Sequence, residues 1–157
     1  MNDLTAPEIV ETQGQRFVGL AESYDMSRRG EIPALYERFF AGRDGIEGAA
    51  SDVLYGLSID AKPDGSFRYA VAVEVPEPGG MPAGFCVLEA SAGQYAVFRQ
   101  RTPIADLPAT FDAIFAHWLP AAPYVQREGA VFERYPEDDA PEEGKMLYEI
   151  WVPVTAA

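Results

Sequence analysis

The sequence predicts an α+β fold of two duplicated β-α-β-β units that form one antiparallel sheet, with two helices on one face and a ligand groove between the halves. Residues 32–40 read Ile-Pro-Ala-Leu-Tyr-Glu-Arg-Phe-Phe and residues 107–115 read Leu-Pro-Ala-Thr-Phe-Asp-Ala-Ile-Phe, one amphipathic pattern written twice. Flanking segments match in the same order. Gly14-Gln15-Arg16-Phe17-Val18 aligns with Gly93-Gln94-Tyr95-Ala96-Val97, and Val71-Ala72-Val73-Glu74-Val75 with Ile150-Trp151-Val152-Pro153-Val154. A chain of 157 residues, 48% hydrophobic, can bury one sizeable core but not two independent ones. The units are therefore halves of a single domain: residues 8–75, a linker at 76–83, and residues 84–154.

In the first half, Ile9-Val10 and Arg16 to Ala21 have strand-like apolar content, with a bulge or turn at Gly14 and a strand end near Tyr24. Apolar residues at Ile32, Leu35, Tyr36, Phe39 and Phe40 then give one helical stripe, and Pro33 suits its first turn, where a missing amide costs nothing. Val53 to Ile59 reads as a strand. Asp60-Ala61-Lys62-Pro63-Asp64-Gly65 is turn chemistry leading into a third strand, Phe67 to Val75. Pro76-Glu77-Pro78-Gly79-Gly80-Met81-Pro82 breaks regular structure and supplies the connection.

The order then recurs. Phe85 to Glu89 and Tyr95 to Arg99 are strands around Gly93, and Asp106 is a candidate N-cap for a helix presenting Leu107, Phe111, Ile114, Phe115 and Trp118, with Pro120 at or just past its end. Val131 to Tyr135 and Leu147 to Val154 are the last strands. They are joined by an acidic, solvated loop, Pro136 to Gly144. Alternation in the final strand sets Tyr148, Ile150, Val152 and Val154 against the helices and leaves Glu149 and Trp151 on the groove side, opposite Ala70 and Ala72 of the other half.

Composition excludes several functions. A net charge of −13 repels phosphate backbones, so direct nucleic acid binding is not expected. No apolar run resembles a signal peptide or a membrane span, and the expected location is the cytoplasm. Cys86 and His117 are each the single residue of their type, so neither a disulfide nor a Cys/His metal centre can form, and no metal or cofactor is expected. Cys86 reads as a buried small hydrophobe and His117 as a surface or helix-end residue. Serines lack a nucleophile-elbow context, and no glycine loop between a strand and a helix cradles phosphate.

Glu149 is the sharpest candidate, an acid between Tyr148 and Ile150 that must meet a cation, a donor or water. In a pocket it would neutralise a cationic ligand, with Trp151, Trp118, Tyr36 and Tyr55 offering aromatic faces. On a solvated face it would instead pair with Arg134 or Arg68. Glu133, between Phe132 and Arg134, is a second carboxylate that a hairpin could bring near the first.

The order β-α-β-β twice, with Gly-Gln-Tyr-Ala-Val-Phe at 93–98, Phe-Glu-Arg-Tyr at 132–135 and Glu-Ile-Trp-Val-Pro-Val at 149–154, resembles the GyrI-like small-molecule-binding superfamily, also called the AraC effector-binding domain. The resemblance spans about Glu8 to Val154. It implies a groove that takes up lipophilic, often cationic compounds, a pocket glutamate on the last strand falling on Glu149, and a second acid, Glu133. Family members fused to DNA-binding helices are transcription factors. This chain shows no such segment, and a stand-alone binding protein is the first expectation. A hydrolase of cyclopropane-bearing natural products, with Glu149 as general base and Tyr135 as donor, is the second; a protein partner, in the manner of a gyrase inhibitor, is the third.

Overall fold

The computed structural model describes residues 4–25, 27–59 and 62–157, so the expected turn at Asp60-Ala61 lies outside the described residues. Strands β1 (Glu8–Thr12) and β2 (Gln15–Tyr24) precede helix α1 (Ile32–Gly42), followed by β3 (Leu54–Ile59) and β4 (Phe67–Glu74). The second half repeats the order with β5 (Cys86–Ala90), β6 (Gly93–Thr102), helix α2 (Leu107–Asp112), β8 (Val131–Tyr135) and β9 (Met146–Ala156). A short strand β7 (Tyr124–Gln126), unforeseen in the sequence, pairs with the end of β9. The result is an α+β fold: an antiparallel sheet of nine strands with helices packed against it.

The sheet order β1-β6-β9-β8-β3-β4-β2-β5 mirrors about its centre, where β8 meets β3. Its two ends are also tied together. Glu8 faces Val97, Thr12 faces Gly93, Gln15 faces Ala90 and Gly19 faces Cys86, so one antiparallel register runs through β1–β6 and β2–β5 alike. Gly14, at φ +96°, makes the joint between β1 and β2 in a conformation that L side chains avoid. The sheet therefore curls, and its inner face fills with Phe17, Tyr55, Tyr95 and Phe132, the Phe17 and Phe132 rings lying 6.0 Å apart although three strand spacings separate them along the sheet.

Where β2 crosses close to β4, the inner face has no room for a side chain at Gly19. A Cβ at Gly19 would sit 2.0 Å from the Val71 carbonyl oxygen and 2.7 Å from Ala72 Cα. Gly19→Ala is expected to lower unfolding free energy by about 3 kcal/mol, because the obstruction is backbone that cannot step aside. Urea denaturation of the two proteins measures it.

The helices pack on the outer face, one against each half. Leu35 and Phe39 of α1 bury against Val18, Leu20, Val71 and Val73. Phe40, placed in the buried stripe by spacing, is 48% exposed; it lies at the edge of the stripe against Phe39 and under Arg43. The second helix runs from α2 through a π-helical stretch (Ala113–Trp118) into α3 (Leu119–Ala121). Leu119 N–H bonds the Ile114 oxygen, and Pro120 cannot donate to the preceding turn, so the wider winding is tolerated there. Pro120 lies one residue before the helix end at Ala121, and Asp106 stands at the N-cap position without a side-chain cap bond.

As alternation requires, Tyr148, Ile150, Val152 and Val154 pack with Ile114, Phe115 and Trp118 on the helix side. Cys86, expected to be buried, is only half-buried because β5 is the edge of the sheet. The acidic loop is anchored by Asp138, whose carboxylate takes two hydrogen bonds from Arg101 at 2.8 and 3.2 Å. Among the described residues, no helix is long and apolar enough to cross a membrane.

Candidate functional site

Between α1 and the start of α2, over the central strands β3 and β8, the outer face carries a cavity of about 950 Å³. Ile32 and Tyr36 of α1 form one wall and Leu107, Pro108 and Phe111 of α2 the other, with Leu54, Phe67 and Met146 completing an apolar lining. The helical stripes that build the core thus run past its edge and line the hollow. Among the described residues, Lys62 and Asp112 are the charged side chains around it other than Glu133.

Glu133 stands at the base, 4% exposed. Its Oε1 accepts the hydroxyl of Tyr135 at 2.9 Å and that of Tyr69 at 3.1 Å, and the Tyr69 hydroxyl lies 2.8 Å from that of Tyr36. Alternation explains the meeting. Glu133 and Tyr135 are two apart on β8, and Tyr69 projects from β4 past Gly56, the β3 residue directly opposite Glu133. A Cβ at Gly56 would lie 2.1 Å from the Tyr69 hydroxyl, so the cluster exists because that position has no side chain.

Burial pushes the Glu133 carboxyl up from 4.5 to about 7, against the two tyrosine hydrogen bonds that favour its charged form. Burial, then the Glu133 charge, pushes Tyr36 up to about 12, and the same causes raise Tyr69 and Tyr135. All three therefore remain phenols that donate. Among the described residues, no Lys or Arg forms an ion pair with Glu133.

Glu149 lies on the opposite, inner face. It is 7% exposed and already partnered: Arg99 Nη1 donates at 2.7 Å, Arg134 Nη1 at 3.2 Å and Trp151 Nε1 at 3.1 Å. Arg134 also donates to the Tyr55 hydroxyl at 3.2 Å, and Trp151 stacks on Phe132 with ring centroids 5.3 Å apart. Of the sequence candidates, Tyr36, Glu133 and Tyr135 converge on the cavity, while Glu149, Trp151 and Tyr55 converge behind the sheet. The two carboxylates thus stand on opposite faces, since Glu133 pairs with Ile150 and it is Arg134 that pairs with Glu149. Trp118 is in neither group; partly buried against the core, it meets Phe98 edge-on at 5.0 Å and lies nearly parallel to Tyr124. His117 is exposed, 4.0 Å from Asp112.

Sequence reasoning missed Tyr69. Its signal was present, because Tyr69 alternates with Val71 and Val73 on the helix side of β4. Phe67 and Phe111 were read as a strand residue and a core residue, and both line the cavity. Among the described residues, no group of three or more His, Cys, Asp or Glu could hold a metal ion.

A curled antiparallel sheet, two helices parted over its centre and an apolar chamber floored by a carboxylate together define a domain that binds small molecules. The chain belongs to the family described as the GyrI-like small molecule binding domain, whose model matches residues 5–155. It is 28% identical over 148 residues to the transcriptional regulator BrlR of Pseudomonas aeruginosa, covering 93% of this chain and 54% of BrlR. The chain thus spans about half the length of that relative. Similar solved structures include SAV2435 bound to tetraphenylphosphonium (TM-score 0.70, 20% identity, 96% of this chain and 94% of that one). An integron cassette protein of Vibrio cholerae (0.69, 18%, 97% and 97%) and a hydrolase from Listeria innocua (0.59, 13%, 96% and 92%) share the fold.

Proposed function

We propose that the cavity captures lipophilic cations, with Glu133 supplying the counter-charge and the apolar walls holding the body of the ligand. The observation that carries this reading is a buried carboxylate that accepts two tyrosine hydroxyls and, among the described residues, has no ion-pair partner, at the base of an apolar chamber of about 950 Å³. Among the described residues such a group has no positive partner, and a ligand can provide one. Tyr36, Tyr69 and Phe111 offer aromatic surface to the same charge. Binding of tetraphenylphosphonium by SAV2435 supports the ligand class. Glu149 is proposed as a brace and not as the ligand's partner, since two arginines already neutralise it.

Titration of the chain with tetraphenylphosphonium is expected to raise its melting temperature by an amount that grows with ligand concentration. An unchanged melting temperature at millimolar ligand overturns the reading.

A second reading has one observation in its favour. A carboxyl near 7 beside a tyrosine hydroxyl at 2.9 Å could act as base and donor in hydrolysis of a bound lipophilic compound, Glu133 and Tyr135 taking those roles. It predicts turnover that Glu133→Gln abolishes.

A further inference from the structure

We infer that this site senses the charge of its ligand through a proton: a lipophilic cation expels a proton from the Glu133–tyrosine cluster on entering, whereas a neutral apolar ligand drives one in. The inference deepens the proposed function and rests on it.

The geometry favours an exchange of this kind. Each tyrosine hydroxyl carries one proton. Those of Tyr69 and Tyr135 are both directed at Glu133 Oε1, so the 2.8 Å contact between Tyr36 and Tyr69 takes the proton of Tyr36. All three protons point into the cluster and the oxygen lone pairs remain for the cavity. The ionised cluster therefore presents net negative charge with no donor turned toward a guest.

The groups that face Glu133 are Tyr36 from α1, Tyr69 from β4 and Tyr135 on its own strand, with Ser58 of β3 among the lining residues. Lys62 and Asp112, of opposite sign, lie among the other cavity residues. None is a cation in contact with the carboxylate, and Arg134 and Arg99 are engaged behind the sheet. With no ion-pair partner among the described residues, the charge state of Glu133 is decided by what fills the cavity. A cation favours the carboxylate. A neutral body removes water and worsens its desolvation. The buried carboxyl, held near 7, is poised for both responses at ordinary pH.

The test is isothermal titration calorimetry of the whole chain between pH 6 and 8.5, in pairs of buffers that differ in ionisation heat. The probes are tetraphenylphosphonium and the neutral N-phenyl-1-naphthylamine. With the cation, release is expected to approach about one proton per ligand near pH 6 and fade above pH 8, while affinity rises about tenfold per pH unit on the acidic side. With the neutral probe, proton uptake appears above pH 7 and affinity falls as pH rises. A His117→Asn protein run in parallel must behave as wild type, which removes the exposed histidine near Asp112 as the proton source. Cation binding without proton release, or exchange of the same sign for both probes, overturns the inference and leaves the proposed function standing. Failure of tetraphenylphosphonium to bind at any pH overturns both. The wild-type measurements decide the matter whether or not a Glu133 variant folds.

Discussion

Glu133→Gln is expected to bind tetraphenylphosphonium roughly 30- to 100-fold more weakly than wild type at pH 8, and to be the more stable protein there. The affinity loss follows from removing a full charge in a half-dry cavity, worth about 2 to 3 kcal/mol at close range. The stability gain has the opposite origin. In the folded chain the carboxyl is held at about 7, against 4.5 when free. The native state therefore keeps a proton that the unfolded chain releases above about 4.5. This contribution to stability is complete below 4.5 and is lost as pH rises through about 7. The whole difference amounts to about 3 kcal/mol. Gln cannot ionise and escapes that loss. Unfolding free energies of both proteins, measured in urea from pH 4.5 to 8.5, should diverge with rising pH in favour of the variant. Parallel curves would show that Glu133 ionises freely and is not desolvated.

Gly56→Ala is expected to disable the site from behind. The new methyl would lie 2.1 Å from the Tyr69 hydroxyl and 3.2 Å from Glu133 Oε1, while the Tyr69 ring is held among Val71, Val73 and Leu35. The ring must move, and its hydrogen bonds to Glu133 and Tyr36 break together. Overpacking and the loss of one of the two hydroxyls on a buried carboxyl combine to about 2 to 4 kcal/mol of destabilisation. Tetraphenylphosphonium affinity should fall as well, although residue 56 is not part of the cavity lining. The paired experiment is thermal unfolding with and without the ligand. A variant that melts and binds like wild type would show that the hydroxyl cluster does not depend on the bare backbone at Gly56.

Much of the fold was legible along the chain because its signals are local. The stripe at Ile32, Leu35 and Phe39, the glycines at 14 and 93 and the alternation of residues 148–154 depend on periods of 3.6 and 2 that each segment carries by itself. Strand β7 was not, because three residues with two exposed side chains have no period to read. Alternation also separated Glu149 from Ile150 without contact information. What it could not say was which face holds the hollow.

The sequence by itself determined two helices, a duplicated strand order, an acidic surface and two carboxylates inside apolar strands. Tertiary structure alone decided their roles. The curl of the sheet closes its inner face over Phe17, Phe132 and Trp151 and brings Arg99 and Arg134 onto Glu149, so that acid is neutralised. On the outer face the helices pack against separate halves and leave the central strands uncovered, so Glu133 sits beneath an open chamber with hydroxyls for company. Ion pairing and desolvation depend on groups brought together from distant parts of the chain. For that reason two glutamates in similar local settings acquire opposite electrostatic environments only after folding.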